Sequence, residues 1–233
     1  MNPADRIHKR EELDNLQLSG SLLHKTLRNL GSINRFLGNH TQLKRAVFSS
    51  IKNHIPTQSI IIIDLGCGGG DTLSYIYNSL SKKGIESTCI GIDGNPFTIE
   101  YATQKHSNKN VNFTVANILD PTFELPRCHL LISSHFIYHF SDEQLIEFLK
   151  QISTSDCKHV VFSELYRNQF AYLLFIIAGK FLPFTTLTRS DGLLAIQRAF
   201  TTKEMHEIIQ KAGITKYTIQ KKFWFRMIIT ITT

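Results

Sequence analysis

The sequence predicts an α/β fold, a mostly parallel sheet of seven strands with helices on both faces and a helical segment ahead of it. Three observations carry this expectation. From about residue 57 to residue 165, wholly apolar strand-like runs alternate with helical stretches, the pattern of strands buried on both sides. The first strand, Ile60 to Leu65, runs straight into the glycine knot of Gly66, Gly68, Gly69 and Gly70. Ahead of it, Leu22, Leu23, Leu27, Leu30, Ile33, Phe36 and Leu37 recur at spacings of three and four, which places them on one helical face.

In chain order, the segment from Glu11 to about His54 reads as two or three short helices. A change of texture after Pro56 divides the chain into a helical lid, residues 1–56, and an α/β domain, residues 57–233. Strands are expected at SIIIIDL (59–65), STCIGID (87–93), VNFTVAN (111–117), HLLISSH (129–135) and HVVFSEL (159–165). Helices are expected to begin near Asp71, Pro96, Asp142 and Asn168. Asn95 before Pro96 has the form of an N-cap with proline at the first helical position. Ser141 with Gln144 and Thr201 with Glu204 have the form of capping boxes, and Gly213 closes the last helix. The tail, KYTIQKKFWFRMIIT, reads as two strands turning near Lys222.

Composition narrows the class. The chain has 233 residues, 42% of them hydrophobic, and a formal charge of +7, enough apolar material for one substantial core. Its cations are scattered in runs no longer than a pair, such as Lys82-Lys83, so no nucleic-acid footprint is expected. Cys67, Cys89, Cys128 and Cys157 form no C-x-x-C pair, and no metal site or disulfide framework is expected. A charged N-terminus without an apolar h-region argues against a secretory signal and for a cytoplasmic protein. The most apolar window, Phe170 to Phe184, is broken by Lys180 and Pro183 and falls short of a membrane span. It reads as a buried helix or as the wall of an apolar pocket, with transient contact to a membrane surface left open.

A strand ending in a glycine turn that opens a helix is the geometry of phosphate and dinucleotide loops. Asp71-Thr72 stands where a P-loop requires Lys-Ser or Lys-Thr. The dinucleotide fingerprint would put its third glycine on Asp71, and the carboxylates Asp64 and Asp71 would repel a pyrophosphate. A cationic nucleoside suits the loop better. The stretch DLGCGGG resembles the D/E-x-G-x-G-x-G loop of class I S-adenosylmethionine-dependent methyltransferases, with Gly66, Gly68 and Gly70 as its glycines. The resemblance implies a Rossmann-like sheet and S-adenosyl-L-methionine as cofactor.

The resemblance covers about residues 57 to 165 and extends to site residues. It implies that Asp64, Gly66, Cys67, Gly68 and Gly70 hold the methionine part. Asp93 in IGIDG, with Gly94, would take the ribose hydroxyls. Asn117, where the family usually has Asp, would read the adenine amino group, with Ile118 on the adenine face and Ser133 at the end of the fourth strand. His129 occupies another usual Asp position. The following ISSHFIYHFSDEQL is similar to the hydrophobic-His-His-Phe-Ser-Asp pattern of methyltransferases acting on small molecules, with Tyr138 in place of the first His.

Flanking segments, EELDN, LRNLGSINRFLGNH and SDGLLAIQRAF among them, resemble enzymes of polyketide and phenolic-lipid pathways and the ubiquinone and menaquinone methyltransferases. This implies O-methylation of a hydrophobic phenol or resorcinol. C-methylation of a quinone precursor, methylation of RNA, and a cofactor-binding module without turnover remain alternatives. A phenol with a pKa near 10 gains from a histidine base. The candidates are His139 first, then His135 and Tyr138, and each could instead be a packing residue. The resemblance is densest at Asn34, Arg35 and Gly38, which implies contact with cofactor or substrate there, and the alternative is that Gly38 only ends a helix. Arg198 and Asp191 could orient the acceptor or pair with each other. The oligomeric state is not legible.

Overall fold

A computed structural model describes residues 5–52, 59–106 and 108–233. The proposed boundary at Pro56 lies outside the described residues. Two helices, α1 (Gly20–Phe36) and α2 (Asn39–Ile51), precede the sheet. The elements β1 (Ile60–Leu65), α3 (Asp71–Ser81), β2 (Ser87–Asp93), α4 (Pro96–Lys105), β3 (Val111–Val115) and β4 (Leu130–Ser134) follow. After them come α5 (Asp142–Thr154), β5 (His159–Leu165), α6 (Gln169–Phe181), α7 (Thr186–Arg198), α8 (Thr202–Lys211), β6 (Tyr217–Lys222) and β7 (Arg226–Thr232).

The seven strands form one sheet in the order β3-β2-β1-β4-β5-β7-β6. The first five run parallel, while β7 pairs antiparallel with both β5 and β6. Chain order reverses between β1 and β4, so the carboxyl ends of these two strands open a crevice where ligands bind in such sheets.

The strand pleat sorts β1 between two cores. Ile60 and Ile62 point to the layer that contains Leu43, Val47 and Ile51 of α2 and Leu73, Ile76 and Leu80 of α3. Ile63 and Leu65 point to the other layer, with Leu145 and Leu149 of α5 and Met205 and Ile209 of α8. Four successive β-branched residues suit a strand with no solvent face. Helix starts follow the predicted caps. Asn95 accepts from Phe97 N and Thr98 N, and both capping boxes form.

Three expectations for the apolar helices need correction. The segment ahead of the sheet is not uniformly a lid, because α2 buries Leu43, Val47 and Ile51 against the sheet, each worth roughly 1.5 to 3 kcal/mol. Phe36 does not share the buried face of α1 and is 84% exposed. The helix α6 is not buried either. Only Ala171 and Gly179 are buried in it, and it serves as a wall with an open outer side.

Candidate functional site

A cleft of about 600 Å³ opens at the carboxyl ends of β1, β2 and β4, within the range of small-molecule sites. Its floor is the glycine loop. Gly66 has φ +67°, and a Cβ there would lie 2.3 Å from the Phe136 ring, so only glycine lets β1 turn beneath that side chain. Gly68, at φ +52°, has nothing within 4 Å of the place a Cβ would occupy, which leaves bare backbone facing open space.

Two carboxylates border the loop. Asp64 is 1% exposed, and its Oδ1 has no hydrogen-bond partner. Burial, and then the charge of Asp93, push its carboxyl up to about 8. Asp93 accepts from Gly68 N at 3.1 Å and Asn95 N at 3.0 Å. Burial still raises it above the ordinary range. Asp71, counted from sequence together with Asp64 as a repelling charge, is paired with Lys105 at 2.9 Å. At the glycine loop, the carboxylates without an ion-pair partner are therefore Asp64 and Asp93.

Across from the loop, Gly94, Asn117 and Ile118 line the cleft, as does Cys67. Asn117 Oδ1 already accepts from Leu119 N at 3.2 Å, closing the turn after β3. Two predicted cofactor contacts do not reach the cleft. Ser133 is fully buried and donates to Leu65 O at 2.8 Å, tying β4 to β1, because the pleat turns it inward and presents Ser134 instead. Gly70 is the N-cap of α3, packed where a Cβ would meet the Phe113 ring at 2.6 Å. His129, at the usual Asp position, accepts from Ile61 N at 3.0 Å through Nδ1.

The three candidate bases all line the cleft but differ in environment. His135 sits at φ +56°, a strained conformation that is found most often at functional sites. Its Nε2 accepts from Arg226 Nη1, and burial and then the Arg226 charge push its pKa well below the usual imidazole range. Tyr138 is buried, with its hydroxyl 3.4 Å from Glu11 Oε2, and burial first of all raises its pKa far above the usual phenol value. Neither is poised to take a proton. His139 differs, because its Nδ1 lies 2.8 Å from Asp14 Oδ1 while its ring rests on Tyr138 with centroids 4.4 Å apart.

Asp14 is the residue that sequence reading missed. Burial alone would raise its carboxyl, but the hydrogen bond and charge of His139, and then Arg198, hold it well below the usual range. Glu11 beside it behaves oppositely. Burial outweighs the pull of Arg198 and pushes it up to about 8. Glu11, Asp14 and His139 offer ligand atoms within 4.8 Å of one another, yet Arg198 already binds both carboxylates, at 3.3 and 2.8 Å, and supplies the compensating cation.

Arg198 and Asp191 do not pair with each other. Arg198 does not line the cleft. Asp191 accepts from Glu12 N at 3.1 Å and Leu13 N at 2.9 Å, so both residues fasten the strap at residues 5–18 over the cleft. Arg6 fastens its outer end by donating to the carbonyls of Arg198, Tyr138 and Phe140, each at 2.7 Å. Leu16 closes over Gly94, where a Cβ would lie 2.9 Å from it. Asn34 lines the cleft, Arg35 points to solvent, and Gly38 at φ +72° ends α1 and begins α2. The remaining wall is apolar, with Leu30 and Ile33 from α1, Leu174, Phe175 and Ile177 from α6, and Trp224 from the turn between β6 and β7.

Residues 62–155 match a family model described as "Methyltransferase domain". No curated protein sequence matches the chain significantly. Among solved structures, the plantazolicin methyltransferase BpumL in complex with SAH superposes with a TM-score of 0.65 at 16% identity, covering 91% of this chain and 89% of that one. The CurJ carbon methyltransferase gives 0.61 at 16%, covering 83% of this chain, which spans only 53% of that one. Human N-acetylserotonin methyltransferase in complex with SAM gives 0.54 at 16%, covering 95% and 64%. The match to the methyltransferase domain spans residues 62–155, and the fold of the chain as a whole is that of these S-adenosylmethionine-dependent methyltransferases.

Proposed function

We propose that this chain uses S-adenosylmethionine to methylate a hydroxyl of a small hydrophobic acceptor, a phenol, a resorcinol or an aromatic polyketide. The observation that carries the reading is the Asp14–His139 pair, set between the acidic end of the cleft and its apolar wall. The cofactor fits on two counts. Asp64 Oδ1 is buried without a partner and suits an ammonium group, and the bare backbone at Gly68 leaves room that a side chain would fill. Asp93 and Gly94 would hold the ribose, and Asn117 and Ile118 the adenine.

When bound, the cofactor supplies an electrophilic methyl group for in-line displacement. The protein's work is positional. It brings the acceptor oxygen to near-attack distance and excludes water, which the strap at residues 5–18 accomplishes over Gly94. Asp14 accepts from His139 Nδ1, fixing the tautomer in which Nε2 carries the lone pair. That nitrogen then takes the phenolic proton as the oxygen becomes nucleophilic. His135 and Tyr138 shape the site rather than act as bases.

The test pairs calorimetry of S-adenosylhomocysteine with a labelled methyl donor offered to a panel of phenols, resorcinols and quinone precursors. The reading expects micromolar binding and an O-methyl ether that has lost the acidic phenol proton. A carbon-methylated product would assign the chain to the alternative chemistry, and failure of S-adenosylhomocysteine to bind would remove the reading altogether.

A further inference from the structure

The apolar wall of the cleft continues past its rim onto exposed surface: Leu174, Ile177 and Trp224 line the cleft, while Phe36, Phe170, Leu173, Phe181, Leu182 and Phe223 lie outside it. On α6 and its end, Phe170, Leu173, Leu174, Ile177, Phe181 and Leu182 are between 46% and 82% exposed. Phe36 at the end of α1 is 84% exposed. Phe223 and Trp224 in the turn after β6 are 87% and 53% exposed. Single exposed apolar residues are ordinary, but a contiguous cluster around a pocket marks an interaction site. These segments meet around one opening. Asn29 of α1 reaches Pro183 O at 3.4 Å, Gln42 of α2 reaches Phe223 O at 3.5 Å, and each segment also lines the cleft.

The hairpin tip adds an independent sign. Trp224 and Phe225 both sit at positive φ, +61° and +54°, where a turn ordinarily uses glycine, asparagine or aspartate. Bulky aromatics in that conformation cost stability and persist where presentation of the side chains matters.

The charge around the surface has one sign. The segments 28–37, 166–190 and 221–226 contain no aspartate or glutamate, yet they expose Arg28, Arg35, Lys180, Arg189, Lys221 and Lys222. Apolar and aromatic side chains ringed by cations match an anionic bilayer surface, where the rings enter the interface and the cations meet lipid headgroups. An acidic protein partner would be met by the cations alone and would leave five exposed aromatic residues without a role.

We infer that the mouth of the cleft, formed by α6, the end of α1 and the β6–β7 turn, docks on anionic membranes and draws its acceptor from the lipid phase. The acceptor class then narrows to phenols or quinone precursors carrying a long apolar chain, which would lie along Leu174 and Ile177. This narrowing rests on the methyltransferase reading. The docking itself does not, because it can be measured without cofactor.

Trp224 is the only tryptophan in the chain, so its emission reports on this surface directly. The full-length protein is mixed with vesicles of phosphatidylcholine alone, or with about 30% phosphatidylglycerol added. Expected are co-sedimentation and a blue shift of Trp224 emission with the anionic vesicles, weakened by salt. Binding should fall at least about tenfold in the variant Phe170→Ser/Phe181→Ser/Phe223→Ser, which alters no cleft-lining residue. Its melting temperature and affinity for S-adenosylhomocysteine should match the parent. The proposal is overturned if the parent ignores anionic vesicles at low salt, if the triple variant binds them equally, or if only an acidic carrier protein is bound. Loss of S-adenosylhomocysteine binding with vesicle binding intact would instead sink the methyltransferase reading.

Discussion

Asp14 Oδ1 and His139 Nδ1 lie 2.8 Å apart although 125 positions separate them, and Arg198 holds the second Asp14 oxygen at 2.8 Å. One carboxylate thus joins the strap, the candidate base and α7. The strap cannot lift without releasing the imidazole, so closure of the cleft and orientation of the base are a single event.

His139→Ala should lower turnover by about 10² to 10⁴, the usual worth of a positioned base. The loss should shrink at a pH near 10, where the acceptor phenol ionises unaided. Asp14→Asn should lower turnover less, with the KM for the acceptor nearly unchanged, because it disturbs the tautomer and not the acceptor wall. Steady-state rates of both variants across pH check this. Equal losses at all pH values would make His139 a packing residue.

Cofactor binding should be coupled to proton release. The Asp64 carboxyl, pushed up to about 8 in the ligand-free protein, must ionise to meet an ammonium group. Affinity for S-adenosylhomocysteine should therefore rise between about pH 6 and pH 8, by at most about tenfold per unit, and level off above. Calorimetry in buffers of different ionisation heat measures the proton directly. Asp64→Asn should bind more weakly and lose the pH dependence.

Asp93→Ala should abolish measurable cofactor binding. Two charge-assisted hydrogen bonds to ribose are worth about 1.5 to 3 kcal/mol each, and the variant also frees Gly68 N and Asn95 N. Unchanged affinity would refute the ribose assignment.

The strap should be most firmly closed in mildly acidic solution. Glu11, raised to about 8, contributes stability that is fully present below its ordinary value of 4.5 and is lost as the pH climbs through 8. Asp14, held low, contributes stability present above its ordinary 3.8 and lost only in stronger acid. Protection of residues 5–18 against hydrogen exchange, taken relative to the intrinsic rate at each pH, should be greatest near pH 5 and smaller near pH 8. Arg6→Ala, which leaves three carbonyls without their donor, should cost about 1 to 3 kcal/mol and speed exchange in the same segment.

Much of the molecule was legible from local pattern. The four isoleucines of β1 predict a doubly covered strand because no polar side chain interrupts them. Asn95-Pro96 and Ser141 with Gln144 predict helix starts because their hydrogen bonds close within three residues. The glycine turn after β1 and the acidic end of β2 were readable because each is set by a single strand and the residues that directly follow it. Ser133 was misjudged because its direction depends on which way the pleat of β4 falls against Leu65. The open outer side of α6 was equally hidden, since an apolar run looks the same whether covered by protein or left bare.

The sequence by itself determined the alternation of strands and helices, the glycine loop with its paired carboxylates, and the candidate histidines, since each depends on neighbours within a few positions. Only the tertiary structure decided that Asp14 serves His139, that Arg226 takes His135 out of contention as a base, and that α6, Phe36 and Trp224 share one exposed mouth. These are contacts between segments far apart in the chain. No local periodicity encodes them, because they arise only when the sheet brings the ends of its strands together.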